Sequence, residues 1–179
     1  MQKTRNSRNF KGDVMGMTGI TETTQYLTFK LGDEVFAFDI SNIREVIDVT
    51  AITKVPRTPE FMIGVINLRG NVVPVVDMRL KFGMSKTERT VNTCIIIVEV
   101  LLDLETTILG ALVDSVKEVI ELERGEIETP PKIWTRLRTE FIKGMGKRND
   151  HFIIILDIDK IFSPDEVSLV QGAGGTLTK

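Results

Sequence analysis

The stretch NIREVID, residues 42–48, recurs in modified form as SVKEVIE at residues 115–121, seventy-three positions further along the chain. The Glu, Val and Ile are identical in the two copies, and the flanking charged positions keep the sign of their charge. Similarity at a fixed spacing is the sequence signature of a duplicated structural unit. This stretch therefore predicts that the chain is built from two related halves.

A second block of similarity follows in the same order, now at a spacing of eighty residues. Apolar positions match apolar positions throughout it, and an insertion around Pro130-Pro131 and Trp134 accounts for the change in spacing. Two repeats of about seventy residues are each too small to bury their apolar surface alone, so we expect them to pack together. The identical residues of this block are Phe61/Phe141, Gly64/Gly144, Asp77/Asp157 and Phe82/Phe162.

Short apolar segments separated by turns predict that both halves consist of β-strands. Tyr26–Leu31 and Val35–Ile40 flank Gly32-Asp33, a residue pair that suits a hairpin turn. Pro74, inside the segment Val72–Val76, predicts an edge strand or a bulge because proline cannot donate a hydrogen bond to a neighbouring strand. Further strands are predicted at Cys94–Val100, Ile108–Val113 and Phe152–Ile158.

Helical signals are few and short. The most complete is Ser163–Leu169, where Ser163 and Glu166 have the spacing of an N-terminal capping box. Many short strands with turn signals at roughly ten-residue spacing are typical of sandwiches and small barrels. The chain is therefore predicted to be all-β with few short helices, arranged as two packed β-barrel subdomains. The other helical segments are Pro59–Met62, Met78–Phe82 and Trp134–Phe141.

Composition and charge exclude several classes of function. The 23 basic and 25 acidic residues give a net charge of −2, which provides no broad basic field for nucleic acid or a membrane surface. Cys94 has no second cysteine with which to form a disulfide, and with the single His151 it makes too small a set for zinc. One histidine also leaves none to spare beside a catalytic triad, and it excludes the two-histidine helix of a metalloprotease. No metal and no cofactor are expected.

The two ends of the chain differ in composition from its middle. Residues 1–22 are polar and basic, lack the apolar run of a secretory signal, and are expected to form a flexible leader. Residues 171–179 are rich in glycine and are expected to form a flexible tail. The folded domain is therefore predicted to span residues 23–170. No apolar run approaches the length of a membrane span, so the protein is predicted to be cytoplasmic and not inserted in a membrane.

Carboxylates at repeat-related positions are the main candidates for chemistry. Asp77 and Asp157 each end an apolar segment just before a helical turn, and both are predicted to cap that turn rather than to act as a general acid and base. Glu45 lies in an otherwise apolar stretch and needs a partner, for which Arg69 is the best candidate. Two interpretations of this pair have equal weight: a surface ion pair of little value, or an arginine held ready for a partner's carboxylate.

Other features of the sequence do not form a catalytic site. GMGKRN at residues 144–149 lacks the spacing and the Lys-Ser/Thr of a phosphate-binding loop, and it occupies the repeat position of GVINLRGN. His151 is expected to be structural or solvated, and Trp134 is expected to pack rather than to serve as a stacking platform. The sequence therefore predicts no active site and no catalytic residues.

Four stretches of the sequence resemble the CheW-like domain family of bacterial chemotaxis coupling proteins, from about Gln25 to Val170. The same domain also ends the histidine kinase CheA and begins the adaptor CheV. The 179 residues leave no room for a kinase domain or a receiver domain, so a free-standing coupling protein is expected. The stretches are GDEVFAFDISNIREVIDV (32–49), TKVPRTPEFMIGVINLRGNVVPVVDMRLKFG (53–83), GALVDSVKEVIEL (110–122) and FIIILDIDKIF (152–162).

The resemblance implies a fold of two five-stranded, SH3-like β-barrels packed around an apolar junction, in agreement with the repeat. It implies a non-enzymatic function, in which the protein couples methyl-accepting chemoreceptors to the regulatory domain of the histidine kinase CheA by binding both. The protein would then act at the inner face of the membrane, in receptor arrays, without entering the bilayer.

The resemblance also implies two binding surfaces. In the family the receptor's helical hairpin lies in the groove between the barrels, and the matching positions here are Ile43, Glu45 and Arg69. The regulatory domain of the kinase docks barrel to barrel, through apolar residues at strand ends. The positions that match this second contact are Leu31, Ile47, Val49 and Ile52.

Three alternatives to this function are considered. An SH3-like or OB-like nucleic-acid-binding module would show a basic face and a steep dependence of binding on salt. An enzyme with a carboxylate pair, such as Asp77 with Glu45, would show a pocket and a carboxyl group with a displaced pKa. A CheW-like scaffold of a chemosensory system that controls something other than flagella would have the same sequence features as a motility protein.

Overall fold

The computed structural model describes residues 22–130 and 139–166, which are mostly β-strand. The first repeat contains β1 (Thr23–Leu31), β2 (Glu34–Asp39), β3 (Ile43–Asp48), β4 (Met62–Leu68), β5 (Asn71–Asp77) and helix α1 (Met78–Lys81). The second repeat contains β6 (Cys94–Leu102), β7 (Glu105–Val113), β8 (Ser115–Glu123), β9 (Ile127–Glu128), β10 (Ile142–Arg148), β11 (His151–Leu156) and helix α2 (Ile158–Ile161).

The strands form two sheets with matching strand orders. The first sheet has the order β8-β1-β2-β11-β10-β9, and the second has the order β3-β6-β7-β5-β4. In the two repeats β3 corresponds to β8, β6 to β1, β7 to β2, β5 to β11 and β4 to β10. With these replacements the order of the second sheet becomes β8-β1-β2-β11-β10, which is the order of the first sheet without β9. The prediction of an all-β chain with few short helices and two similar β-units is confirmed.

The division of strands between the sheets differs from the expectation of one unit per repeat. The first sheet combines β1 and β2 with the strands β8 to β11, and the second combines β3, β4 and β5 with β6 and β7. Two parallel strand pairs join the repeats in equivalent register, with Ala37 opposite Ile155 and Val75 opposite Gly110. Local patterns predict where strands lie, but they do not specify which distant strand each one pairs with.

Three apolar clusters hold the sheets together. The largest lies between the two sheets and includes Phe29 and Ile96, one from each sheet. Each sheet also covers a smaller cluster on its other face, around Ile155 in the first sheet and Val75 in the second. Successive side chains of a strand point to opposite faces, so a central strand between two clusters is apolar on both faces.

The predicted capping box at Ser163 is confirmed. The Ser163 N–H donates to Glu166 Oε1, and the Glu166 N–H donates to Ser163 Oγ, each at 3.1 Å. The Glu166 carboxylate also accepts hydrogen bonds from Lys81 Nζ at 2.9 and 3.1 Å. The Lys81 side chain is only 8% exposed, and its ammonium lies 4.3 Å from the centre of the Phe61 ring. Burial of this lysine is therefore compensated by a carboxylate and an aromatic face.

Several predicted features lie partly or wholly outside the described residues. They are the leader at residues 1–22, the tail at residues 171–179, Trp134, the segment Trp134–Phe141 and the end of Ser163–Leu169. The predicted domain span of residues 23–170 stays a prediction for the same reason.

Candidate functional site

Glu45 and Arg69 form a two-pronged ion pair at one end of the second sheet. Arg69 Nη1 donates to Glu45 Oε2 at 2.6 Å, and Arg69 Nη2 donates to Glu45 Oε1 at 2.8 Å. In this parallel arrangement the planar guanidinium matches both oxygens of the carboxylate. Glu45 lies on β3 and Arg69 follows β4, so the pair connects the two edge strands of the sheet. The predicted partnership of these residues is confirmed.

The turn that carries Arg69 has a defined backbone conformation. Leu68 pairs with Asn71, so Arg69 and Gly70 are the two central residues of the turn, with φ angles of 51° and 88°. Two positive φ angles are typical of the tight turn that joins antiparallel strands. Asn67 Oδ1 accepts a hydrogen bond from the Gly70 N–H at 2.7 Å. The turn therefore fixes the base of the Arg69 side chain while that side chain stays 70% exposed.

Local charges stabilise the ionised form of Glu45. The hydrogen bonds from Arg69 lower the pKa of Glu45 most, and the charges of Arg69 and Arg44 lower it further against an opposing effect of desolvation. The same contact raises the pKa of Arg69. The pair is therefore fully charged at neutral pH, as a surface that recognises a charged partner requires.

A second ion pair, which the sequence analysis missed, lies beside the first. Arg44 Nε donates to Glu99 Oε1 at 2.8 Å. Only the pairing of β3 with β6 brings these residues together, so no local signal identified the contact. Arg44, Glu45, Arg69 and Val72 line one open depression at this end of the sheet.

Ile43, the third predicted receptor residue, lies on the opposite face of β3 from Glu45. A bulge between Ile43 and Glu45 shifts the pairing with β6, so Ile43 is opposite Val98 and Glu45 is opposite Ile97. Val98 belongs to the cluster between the sheets, and Ile97 belongs to the cluster of the second sheet. The half-buried Ile43 therefore packs towards the junction of the two sheets, whereas Glu45 faces the open depression.

Leu31, one of the four predicted kinase-binding residues, is a core residue in this structure. Its side chain is fully buried in the cluster between the sheets. A side chain without exposed surface offers no contact to a partner, so the assignment of Leu31 to a binding surface is wrong. The strand-end position misled the prediction, because β1 is a central strand whose last residue is covered by the second sheet.

The other three predicted kinase-binding residues form what we call the apolar edge, which consists of Ile47, Val49 and Ile52. All three are half-buried and pack against the cluster of the second sheet. In the first sheet, Ile120 and Leu122 hold the positions equivalent to Ile47 and Val49 and are buried. The second sheet therefore leaves apolar surface uncovered where the first sheet does not.

The chain after β3 is held against β4 by two reciprocal hydrogen bonds. The Thr53 N–H donates to the Val65 carbonyl, and the Val65 N–H donates to the Thr53 carbonyl, each at 2.8 Å. These bonds place Ile52 next to Gly64, whose missing side chain leaves room for the close approach. The position of the apolar edge therefore depends on a glycine in the neighbouring strand.

Asp77 and Asp157 differ, although the repeat predicted one role for both. Asp77 Oδ1 accepts a hydrogen bond from the Leu80 N–H at 3.2 Å and caps α1. Asp157 precedes α2 at the equivalent position, but its side chain caps none of the described N–H groups and lies 3.8 Å from Lys160 Nζ. The capping prediction is confirmed for Asp77 and wrong for Asp157, whose carboxylate turns to a solvent-exposed ammonium instead.

Asp77→Asn is expected to stabilise the protein at neutral pH. Burial raises the pKa of the Asp77 carboxyl, against hydrogen bonds from the backbone of Leu80 and Arg79. The folded protein therefore binds this proton more tightly than the unfolded chain does, and the wild type loses stability as pH rises from the unfolded pKa through the folded one. Asparagine keeps the cap without the charge. Thermal unfolding should show a variant more stable than wild type at pH 7 and equal to it near pH 3.

Asp157→Asn is the matched control for this measurement. Its carboxyl is more exposed and caps none of the described backbone, so its replacement is expected to change the unfolding temperature little at either pH. An Asp77→Asn protein that is less stable than wild type at pH 7 would show that the charged cap outweighs the cost of burial.

Within residues 22–130 and 139–166, no group of three or more His, Cys, Asp and Glu side chains is placed to hold a metal ion. No helix in those two ranges is long and apolar enough to cross a membrane. Asp77 and Glu45, the pair considered in the enzyme alternative, have separate partners and line different depressions. They are not arranged as a general acid and base.

Known proteins resemble this chain over most of its length. The family model of the CheW-like domain matches residues 25–166. Chemotaxis protein CheW of Klebsiella aerogenes is 33% identical over 158 residues, which cover 88% of this chain and 93% of that protein. Chemotaxis protein CheW of Thermotoga maritima is 35% identical over 151 residues, which cover 83% of this chain and 92% of that protein.

A solved structure agrees with these sequence matches. The scaffolding protein TtCheW from Thermoanaerobacter tengcongensis is 37% identical and superposes with a TM-score of 0.72, over 81% of this chain and 96% of that one. The region matched by the family model includes the Glu45–Arg69 pair and the apolar edge. The resemblance seen in the sequence is thereby confirmed, and the chain belongs to the CheW-like domain family.

Proposed function

We propose that this chain, a chemotaxis adaptor, bridges the cytoplasmic helical hairpin of a methyl-accepting chemoreceptor and the regulatory domain of the histidine kinase CheA. The observation that carries the proposal is a pair of neighbouring surfaces of different chemistry along β3. One surface is the charged Glu45–Arg69 pair, and the other is the apolar edge. A protein that couples two partners needs two separable surfaces and no chemical step of its own.

The Glu45–Arg69 pair is assigned to the receptor. A receptor helix presents an apolar stripe flanked by charged residues, and an exposed guanidinium suits a carboxylate beside such a stripe. Glu45 holds the guanidinium in place before binding, which reduces the side-chain entropy lost on association. Ile43 stays in the receptor assignment through its place on β3 beside the pair, although its half-buried side chain points to the junction between the sheets.

The apolar edge is assigned to the regulatory domain of the kinase. Ile47, Val49 and Ile52 are partly exposed aliphatic side chains backed by a packed cluster, so their positions are fixed before a partner arrives. Burying such a patch against an apolar patch of the partner supplies the free energy of a stable contact. The kinase domain is expected to approach along β3 without displacing the receptor from the charged pair.

The assignment of partners also assigns a location. A protein that binds the cytoplasmic tip of a membrane receptor and a histidine kinase acts in the cytoplasm, at the inner face of the membrane. Recruitment there follows from binding to the receptor and requires no insertion of this chain into the bilayer.

Arg69→Ala is the experiment that tests the receptor assignment. Loss of a fixed guanidinium at the centre of a contact is expected to weaken binding to a receptor cytoplasmic fragment about ten- to hundredfold. The unfolding temperature should change little, because exposed ion pairs contribute little to stability. Isothermal titration calorimetry with the receptor fragment measures the first effect, and thermal unfolding measures the second.

Arg148→Ala is the matched control, since it removes an exposed arginine beside the equivalent turn of the first sheet. Its effect on receptor affinity is expected to be much smaller than that of Arg69→Ala. Equal receptor affinity of the Arg69→Ala protein and the wild type would contradict the assignment of the charged pair to the receptor.

A further inference from the structure

The turn between β6 and β7 exposes two leucines that the fold itself does not use. Leu101 is 53% exposed and Leu104 is 94% exposed. The core clusters hold their neighbours Val100 and Leu102 on the other face of the strand. We call Leu101 and Leu104, with the turn that carries them, the leucine tip.

The backbone conformation of the leucine tip is unfavourable for Leu104. Asp103 has a φ of 48° and Leu104 has a φ of 68°, in the left-handed region that favours glycine and asparagine. In the equivalent turn of the other repeat, Gly32 has a positive φ of 63° at the position that Asp103 occupies here. A leucine in this conformation costs stability, and an almost fully exposed side chain returns none of that cost through packing.

The leucine tip continues the face of the second sheet that carries the charged pair. Ile97 is opposite Glu45 in the pairing of β6 with β3, and side chains two and four residues further along β6 point to the same face. Those side chains are Glu99, which pairs with Arg44, and Leu101. The Glu45–Arg69 pair, the Arg44–Glu99 pair and Leu101 of the leucine tip therefore follow one another on one face.

A hydrogen bond from α2 holds the leucine tip in place. β3 pairs with β6 only as far as Val98, so the N–H of Leu101 has no neighbouring strand on that side. Asp159 Oδ1, on α2, accepts a hydrogen bond from this N–H at 2.9 Å. The tip is therefore a fixed support for its leucines rather than a loose loop, as an anchor for a partner requires.

Acidic side chains surround the exposed leucines. Asp103 and Glu105 flank Leu104, and neither carboxylate forms an ion pair with a described residue. A partner segment with an aliphatic side chain next to a lysine or arginine would match this combination of apolar surface and negative charge. An amphipathic helix presents such side chains together when they are three or four residues apart.

We propose that the leucine tip is a second anchor for the receptor's helical hairpin, in line with the Glu45–Arg69 pair. A helix that reaches Arg69 with a carboxylate continues along the same face to the tip, where an aliphatic side chain covers Leu104 and a basic side chain meets Asp103 or Glu105. The inference rests on the proposed receptor contact and adds to it the residue pattern that this chain selects.

Leu104→Gly tests the proposal, because binding and stability are expected to move in opposite directions. Glycine fits the positive φ, so the unfolding temperature should be unchanged or higher. Affinity for the receptor cytoplasmic fragment should fall about tenfold, through loss of one buried aliphatic side chain. Val91→Ala is the control, since Val91 is equally exposed but precedes β6 at the opposite end of that strand.

Titration of the Arg69→Ala protein with the same receptor fragment distinguishes a failure of this inference from a failure of the proposed function. A loss of receptor affinity in both the Arg69→Ala and Leu104→Gly proteins, with none in Val91→Ala, supports both assignments. A loss in Arg69→Ala alone overturns the leucine tip and leaves the charged pair in place. A loss in Leu104→Gly alone overturns the charged pair as a receptor contact, and with it the proposal that the tip extends that contact. Reduced affinity for the kinase domain instead of the receptor overturns the tip as a receptor anchor.

Discussion

Ile47→Glu is expected to bind the regulatory domain of CheA about a hundredfold more weakly than the wild type, with receptor affinity unchanged. Ile47 belongs to the apolar edge, and a carboxylate there must leave water to enter an apolar contact. The side chain is only half-buried in the free protein, so the new carboxylate reaches solvent and the fold is expected to survive. Calorimetric titration with the isolated regulatory domain measures the effect.

Val46→Glu is the control for the general effect of adding a negative charge to β3. Val46 is the neighbouring residue of β3, and its exposed side chain points to the opposite face. The same substitution there is expected to leave kinase affinity close to that of the wild type. Ile47→Ala provides a milder variant that adds no charge and should weaken binding less than Ile47→Glu. Wild-type kinase affinity in the Ile47→Glu protein would show that the apolar edge binds something else.

Gly64→Ala is expected to lower the free energy of unfolding by about 3 kcal/mol or more. A Cβ at this position would fall well inside contact distance of the Thr53 carbonyl oxygen, which accepts the backbone hydrogen bond from Val65. The φ of Gly64 is 146°, a conformation that side chains rarely adopt. The backbone must therefore move, and the reciprocal hydrogen bonds between Thr53 and Val65 are expected to break. Chemical denaturation measures the loss.

Gly70→Ala isolates the conformational part of this effect. Gly70 also has a positive φ, of 88°, but a Cβ there meets nothing within 4 Å. Its replacement is expected to cost about 1 kcal/mol, through backbone strain alone. Similar losses for Gly64→Ala and Gly70→Ala would show that the chain next to Gly64 relaxes freely. Since that chain carries Ile52, Gly64→Ala should also weaken kinase binding, whereas Gly70→Ala should not.

The features that sequence analysis predicted correctly are those set by short-range or repeated patterns. The repeat gave two similar units, and the spacing of Ser163 and Glu166 gave a capping box whose hydrogen bonds are both present. The partnership of Glu45 and Arg69 followed from a different argument, since a carboxylate in an apolar strand needs a cation. Each of these rests on the chemistry of a few residues.

The errors arose where tertiary context decides the outcome. Pro74 predicted an edge strand or a bulge. The edge strand is wrong, because β5 pairs on both sides and its ladder to β7 begins only at Val75, whereas the ladder to β4 is irregular between Met62 and Gly64. Leu31 matched a family contact position but lies under the second sheet. Asp157 is equivalent to Asp77 in the sequence repeat, but its side chain does not cap the helix that follows it. None of these differences follows from local propensity, because each depends on which distant segment lies beside the residue.

The exchange of strands between the repeats has a consequence for the order in which a ribosome makes the two sheets. Every strand of the second sheet lies in the continuous segment 43–113, so that sheet can pair all its strands before β8 has been synthesised. The first sheet begins with β1 and β2 and must wait for β11 at the other end of the chain. The second sheet is, in effect, an insertion between the second strand of the first sheet and the rest of it.

This insertion contains the charged pair, the apolar edge and the leucine tip. The segment that emerges first as a complete sheet is therefore the one proposed to hold both partners, while the hairpin of β1 and β2 waits with Tyr26 and Ala37 uncovered. A nascent chain stalled after Val113 would carry every candidate contact residue but would lack the strands that bury Tyr26 and Ala37. Chaperone capture of such stalled chains is accordingly expected at the amino-terminal hairpin and not at the binding surface.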